Sequence, residues 1–128
     1  MTKRSFPKYL LLLIIFIAVT NALADEFSWY WRIPWFDMPM HFLGGLWIGL
    51  VSLWLCFTCD RATNLKIFTV SVLSVVTIGA LWEVFEFNTD TFLAISLQND
   101  ILDTISDMMF DIFGGVAAAV YFIFKKQQ

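Results

Sequence analysis

Four long apolar stretches dominate the chain, and its charged residues lie mainly between these stretches or near their ends. The stretches comprise residues 9–24, 36–59, 65–87 and 101–124. A helix needs about 20 mainly apolar residues to cross the hydrocarbon core of a bilayer. The pattern therefore predicts an all-α membrane protein, a bundle of four transmembrane helices in one integral domain of residues 1–128. Residues 92–97 predict a short interfacial helix before the last span.

The composition agrees with this interpretation and excludes other classes. Apolar residues make up 59% of the chain and aromatic residues 18%, well above the range of soluble domains. The net charge is −3, and no basic stripe with interleaved aromatic residues is present. We therefore expect no nucleic-acid partner.

The basic residues predict the orientation of the helices. With the N-terminus in the cytoplasm, seven of the eight fall on the cytoplasmic side and only Arg32 on the outer side, as the positive-inside rule requires. The seven are Lys3, Arg4, Lys8, Arg61, Lys66, Lys125 and Lys126. We therefore predict a multi-pass protein with both termini cytoplasmic. An alternative for the first stretch is a signal peptide cleaved after Ala24.

Aromatic and small residues predict lipid and helix contacts. Five aromatic residues between positions 29 and 36 are typical of an interfacial belt, and a platform for a lipid substrate is the alternative. Gly45 and Gly49 form a G-x-x-x-G pattern, and Gly114 and Gly115 lie in the last stretch, which predicts close helix packing. The two cysteines, Cys56 and Cys59, are too few for a structural zinc site, so we expect a packing role rather than redox chemistry.

Acidic residues and the single histidine recur at helical spacing in three of the predicted spans. Asp37 and His41 are four residues apart, and Glu83 and Glu86 are three apart, so each pair shares a helical face. In the predicted topology the second and fourth helices begin, and the third ends, at the outer surface. Seven side chains should therefore converge in the outer half of the bilayer: Asp37, His41, Glu83, Glu86, Asp103, Asp107 and Asp111.

These carboxylates must face one another inside the bundle, because facing lipid would cost each of them at least ~2.5 kcal/mol. So many acids in a low dielectric require either protonation or a positive partner, and Arg32 is the only basic residue on that side. Facing carboxylates and imidazole in a bundle core are typical of metal sites. We therefore predict a divalent metal ion of undetermined identity (Mg, Mn, Zn, Fe or Ca) bound by these seven residues. A protonated or cation-conducting network and a purely structural polar cluster are the alternatives.

Three blocks of residues resemble a known family. Asp37-x-x-x-His41-Phe42, then Glu83-x-x-Glu86, then Asp103-Thr104-x-x-Asp107-Met108 followed by Gly114-Gly115 resemble the uncharacterised bacterial inner-membrane proteins typified by YjdF. They are more loosely similar to VanZ-like membrane proteins. The resemblance implies a bacterial inner-membrane location and no established reaction. Compared with that pattern the chain is short before the first block, and Asp111 is an additional acid.

Three functions are compatible with such a site. The first is a metal-dependent hydrolase or transferase that acts on a lipid headgroup, in which His41, Glu83 and Asp107 would carry the catalytic chemistry. The second is a cation or proton transporter, although the inner half offers few polar residues for a relay. The third is a non-enzymatic accessory or ligand-binding module of VanZ-like type. Membrane lipids are the expected partners, and a homo-oligomer is compatible with each function.

Overall fold

The computed structural model describes residues 6–57, 62–92 and 101–127, and in these ranges all regular structure is helical. Five helices follow one another: α1 (Lys8–Glu26), α2 (Trp29–Arg32), α3 (Asp37–Cys56), α4 (Asn64–Phe92) and α5 (Ile101–Lys126). All except α2 are long and apolar enough to cross a membrane. The predicted four-helix membrane bundle is confirmed.

Two helix boundaries differ from the prediction by more than two residues. Helix α3 ends at Cys56, three residues early, whereas α4 continues to Phe92, five residues beyond the predicted end. A helix can continue into the polar interface after its apolar run has ended, and Asn88 does so with its side-chain amide donating to the carbonyl of Val84. Glu83 and Glu86 therefore do not close their helix as expected. They lie before its last turn, where the dipole no longer disfavours negative charge strongly.

The tightest packing in the bundle joins α3 and α5, which run parallel with α4 antiparallel to both. A Cβ atom on Gly45 would overlap the backbone carbonyl of Asp111, and one on Gly114 would overlap the carbonyl oxygen of Phe42. Only glycine at these positions lets the two backbones approach so closely. The buried hydroxyl of Ser71 donates to the carbonyl oxygen of Gly115 over 2.7 Å and joins α4 to this pair.

Helix α1 packs on the outside of α3. Its Leu10 is fully buried against Leu50 and Ala118, and the indole Nε1 of Trp47 donates to the Leu10 carbonyl over 2.8 Å. At the same end of the bundle, the Lys125 ammonium lies 5.2 Å from the ring centroid of Tyr9. Lys126 donates to the carbonyl of Ala62. Lys8, Lys66, Lys125 and Lys126 thus lie at one end of the bundle, whereas Arg32 ends α2.

Several predictions fall on residues outside the described ranges. They are most of the interfacial helix predicted at 92–97, the last residues of the second span including Cys59, and the basic residues Lys3, Arg4 and Arg61. Of the interfacial helix only residue 92 is described, and it is the last residue of α4. Cys56 is exposed at the end of α3. Cleavage after Ala24 stays a prediction, and α1 runs unbroken through Ala24, whose side chain is fully buried.

Candidate metal centre

His41 lies at the centre of a carboxylate cluster, at the end of the bundle opposite Lys8, Lys66, Lys125 and Lys126. Its Nε2 atom is 3.6 Å from Oδ1 of Asp37 and 3.8 Å from Oδ2 of Asp107. Its other ring nitrogen, Nδ1, is 3.4 Å from Oδ1 of Asp111. One imidazole therefore contacts three carboxylates, one from its own helix and two from α5.

The glycine contact between α3 and α5 brings this cluster together. Asp107 and Asp111 are one turn apart on α5, and the close approach of the Asp111 backbone to Gly45 sets both side chains beside His41. His41, Asp107 and Asp111 are buried, whereas the Asp37 side chain is 38% exposed. The cluster is therefore enclosed within the bundle and accessible from the side of Asp37.

The arrangement has the features of a cation site. Ligand atoms of Asp37, His41 and Asp107 all lie within 4.8 Å of one another. Around a magnesium-sized ion, neighbouring ligand atoms are about 3 Å apart. The distances from Nε2 to the oxygens of Asp37 and Asp107 would therefore need to shorten by less than ~1 Å to match that spacing. Metal-binding histidines usually donate their second ring N–H to a carboxylate, which fixes the ring. Asp111 occupies that position at Nδ1, and Nε2 faces Asp37 and Asp107.

The remaining predicted ligands surround this cluster without contacting His41 as closely. Oε1 of Glu83 is enclosed and has no hydrogen-bond partner among the described residues. The negative charges of Glu83 and Asp103 act on Asp107, and the negative charges of Glu83 and Asp37 act on Glu86. Asp103 is exposed in the first turn of α5. The structure thus brings all seven predicted residues to one end of the bundle. Asp111, the additional acid, lies beside Nδ1 of the central His41.

A cavity of about 630 Å³ adjoins the cluster. Its walls come from α1, α3 and α4, together with Asp111 of α5, and Tyr30 of α2 lies at the polar end. The apolar part is lined by Ile14, Ile17, Ala18, Ile48 and Ile78, and the polar part by Asn21, Asp25, Tyr30, Asp37, His41, Glu86 and Asp111. The cavity therefore connects an acidic surface with a hydrocarbon-like one.

Tyr30 lines the polar part of the cavity. Its hydroxyl donates to Oδ1 of Asn21 over 2.6 Å, and the amide of Asn21 donates to Asp25 over 3.3 Å. Burial, followed by the negative charges of Asp37, Asp25 and Glu86, raises the pKa of the Tyr30 phenol to about 12. The neutral phenol is therefore retained beside the carboxylates.

Sequence reasoning missed the contribution of α1 and α2 to this site. Asn21 and Asp25 are spaced at i, i+4, which is the same helical signal that identified Asp37 and His41. This signal was available, but both residues lie at the end of a span where polar residues are ordinary. Tyr30 was assigned to an interfacial belt, and the structure shows that it also lines the cavity.

The comparisons with known proteins identify a family. A model of the family DUF2238, described as a predicted membrane protein, matches residues 1–128. The chain belongs to this family. No curated protein and no solved structure matches the chain. Membership supports a multi-pass membrane protein and assigns no role to the cluster.

Proposed function

We propose that this DUF2238 protein binds a divalent cation between Asp37, His41 and Asp107 and uses it on a phosphoester of a lipid headgroup. The observation that carries the proposal is that the two ring nitrogens of His41 face different carboxylates. Nδ1 faces Asp111, whereas Nε2 faces Asp37 and Asp107. This is the pattern in which a carboxylate orients a metal-binding imidazole. Carboxylate oxygens with one imidazole suit Mg, Mn, Fe, Zn or Ca.

Charge balance supports a bound cation. Among the residues lining the cavity that the structure describes, none is lysine or arginine. Arg32 is exposed on α2 and is not one of these residues. Buried carboxylates repel one another in a low dielectric unless a positive partner is present, and a divalent ion supplies more charge than a protonated His41 alone.

The proposed reaction is hydrolysis of the phosphoester, in which the phosphoryl group is transferred from the alcohol oxygen to water. A bound cation lowers the pKa of its water and polarises the phosphoryl oxygen. The water oxygen then bonds to phosphorus as the ester P–O bond breaks, and the carboxylate that takes one water proton returns it to the departing alcohol oxygen. Glu83 is the proposed base, because its enclosed Oε1 has no hydrogen-bond partner among the described residues. His41 and Asp107 hold the cation.

The location of the site belongs to the same proposal. Lys8, Lys66, Lys125 and Lys126 lie at the end of the bundle opposite the cluster, which supports cytoplasmic termini and a site near the outer leaflet. We also propose a location in the bacterial inner membrane, which the resemblance to the YjdF type implies. The looser similarity to VanZ-like proteins is part of the same proposal. Transport has less support, since Leu53, Ile67 and Ala119 fill the described interior toward the basic end with apolar side chains.

Metal analysis tests the cation site directly. Protein purified in detergent should contain about one divalent ion per chain, and His41→Ala and Asp107→Asn should each lower the content at least about tenfold, since removal of a ligand weakens the site strongly. Glu26→Gln, which removes an exposed carboxylate of α1 outside the cavity lining, is the matched control and should retain the ion. Circular dichroism of each variant shows whether its helices are intact.

Equal metal content in wild type, folded His41→Ala and folded Asp107→Asn would overturn the cation site. Hydrolysis of a panel of lipid phosphoesters then tests the reaction, and Glu83→Gln should abolish turnover while the ion is retained. A metal-containing protein that hydrolyses none of the panel would overturn the enzymatic part and favour the accessory module.

A further inference from the structure

The cavity beside the cluster has two chemically different ends. Ile14 and Ile17 of α1 and Ile78 of α4 line the apolar part, whereas Asp25 of α1 and Glu86 of α4 line the polar part. Its volume of about 630 Å³ lies within the range of pockets that bind small molecules, about 300 to 1,000 Å³. An occupant that matches both ends is an amphiphile.

The polar end selects the charge of such an occupant. Asp37 and His41 are proposed to bind the cation, but Asp25 and Glu86 are two further carboxylates in the same lining. Among the described residues, Asp25 accepts a 3.3 Å hydrogen bond from the amide of Asn21. A purely anionic headgroup would meet these two carboxylates with repulsion, whereas an ammonium group would meet them with attraction.

The position of α1 provides a route from the bilayer. In the described residues α1 packs mainly against α3 and α2, and α1 and α4 both line the cavity. A hydrocarbon chain that enters between these two helices would stay in contact with apolar surface along its length. Its headgroup would then arrive at the polar end at the level of Asp25, Glu86 and the cluster.

We propose that the cavity binds a phospholipid whose headgroup carries an ammonium group. The ammonium lies between Asp25 and Glu86, the acyl chain follows Ile14, Ile17 and Ile78, and the phosphate faces the cation site. This inference names the substrate class of the proposed function and rests on that function for the position of the phosphate. The ammonium and acyl-chain contacts depend only on the cavity.

Native mass spectrometry of the full chain in detergent tests this proposal with two probes, phosphatidylethanolamine and phosphatidylglycerol, which differ in the ammonium group. Wild type should retain phosphatidylethanolamine about tenfold more strongly, since one charge-assisted contact is of that order. Asp25→Asn should remove most of this preference. Glu26→Gln, its neighbour outside the cavity lining, should preserve it. Ile17→Trp should exclude both lipids by filling the apolar end.

Equal retention of the two lipids by wild type, or an unchanged preference in Asp25→Asn, would overturn the proposal. Metal content measured on the same samples separates the two proposals. A protein that discriminates the lipids but holds no metal would refute the cation site and leave the ammonium site standing. A protein that holds metal without discriminating would refute the ammonium site alone.

Discussion

The contact between α3 and α5 and the contact between α1 and α3 represent two ways of joining membrane helices. In the first, glycines bring the backbones together at Gly45 and Gly114. In the second, large side chains such as Trp47 and Leu10 mediate the contact. In the most apolar stretch of α5, 33% of the residues are buried, against 11% in α1. The proposed metal site lies at the tight contact and the cavity at the loose one.

This difference matches what each site needs. A metal site requires ligands held within a fraction of an ångström, and closely packed backbones provide that precision. A lipid must enter and leave, so the cavity is better placed beside a helix that is joined by few contacts. Local stability is expected to follow the same order, with α1 opening more readily than the α3–α5 pair.

The largest effect should come from a methyl group placed in the tight contact. Gly45→Ala would put a Cβ atom onto the Asp111 carbonyl, so we expect a loss of about 3 kcal/mol or a failure to fold. Gly44→Ala is the matched control, because nothing lies within 4 Å of a Cβ atom there. Thermal unfolding in detergent, followed by circular dichroism, measures both. Similar melting temperatures for the two variants would contradict the glycine contact.

A smaller effect should come from the buried hydrogen bond that joins α4 to the pair. Ser71→Ala removes the donor to the carbonyl of Gly115, and such bonds in membrane bundles contribute about 0.6 to 1.7 kcal/mol. Ser52→Ala is the control, because its hydroxyl donates to the carbonyl of Ile48 within its own helix. The same unfolding measurement should show a lower melting temperature for Ser71→Ala than for Ser52→Ala.

The loose contact should respond locally. Trp47→Phe removes the donor to the Leu10 carbonyl, so amide hydrogen exchange in α1 should accelerate about threefold to tenfold while exchange in α5 is unchanged. Trp54→Phe provides the comparison, since its buried Nε1 has no hydrogen-bond partner among the described residues. If Trp47→Phe accelerated exchange in α5 as much as in α1, the two contacts would not be independent.

The smallest effect concerns pH at the junction of α1 and α2. Because the pKa of Tyr30 is about 12 in the folded chain against 10.0 for an ordinary phenol, the folded state keeps a proton that the unfolded state releases. The stabilisation by the neutral phenol is complete below pH 10 and is lost as the pH rises toward 12. Tyr30→Phe should therefore show a shallower fall in melting temperature over that window than wild type. Parallel curves would contradict the assignment.

Much of the fold could be predicted because hydropathy and helical spacing are local properties. The four spans follow from apolar runs, and the pairing of Asp37 with His41 follows from four-residue spacing on one helix. The end of α4 was less accessible, because residues after an apolar run can extend a helix or leave it. The sequence shows Asp111 as an additional acid at helical spacing. Its position opposite Nδ1 of His41 depends on how far α5 is shifted along α3.

The sequence by itself determined that this chain is a helical membrane protein with acids and one histidine on helical faces, since lipid solvent imposes both helix length and inward-facing charge. Only the tertiary structure decided which nitrogen of His41 faces which carboxylate, that the glycines of α3 and α5 meet, and that α1 supplies Asp25 to a cavity. These features depend on the rotation and relative shift of whole helices. Both are set by packing between residues far apart in the chain, which no local pattern records.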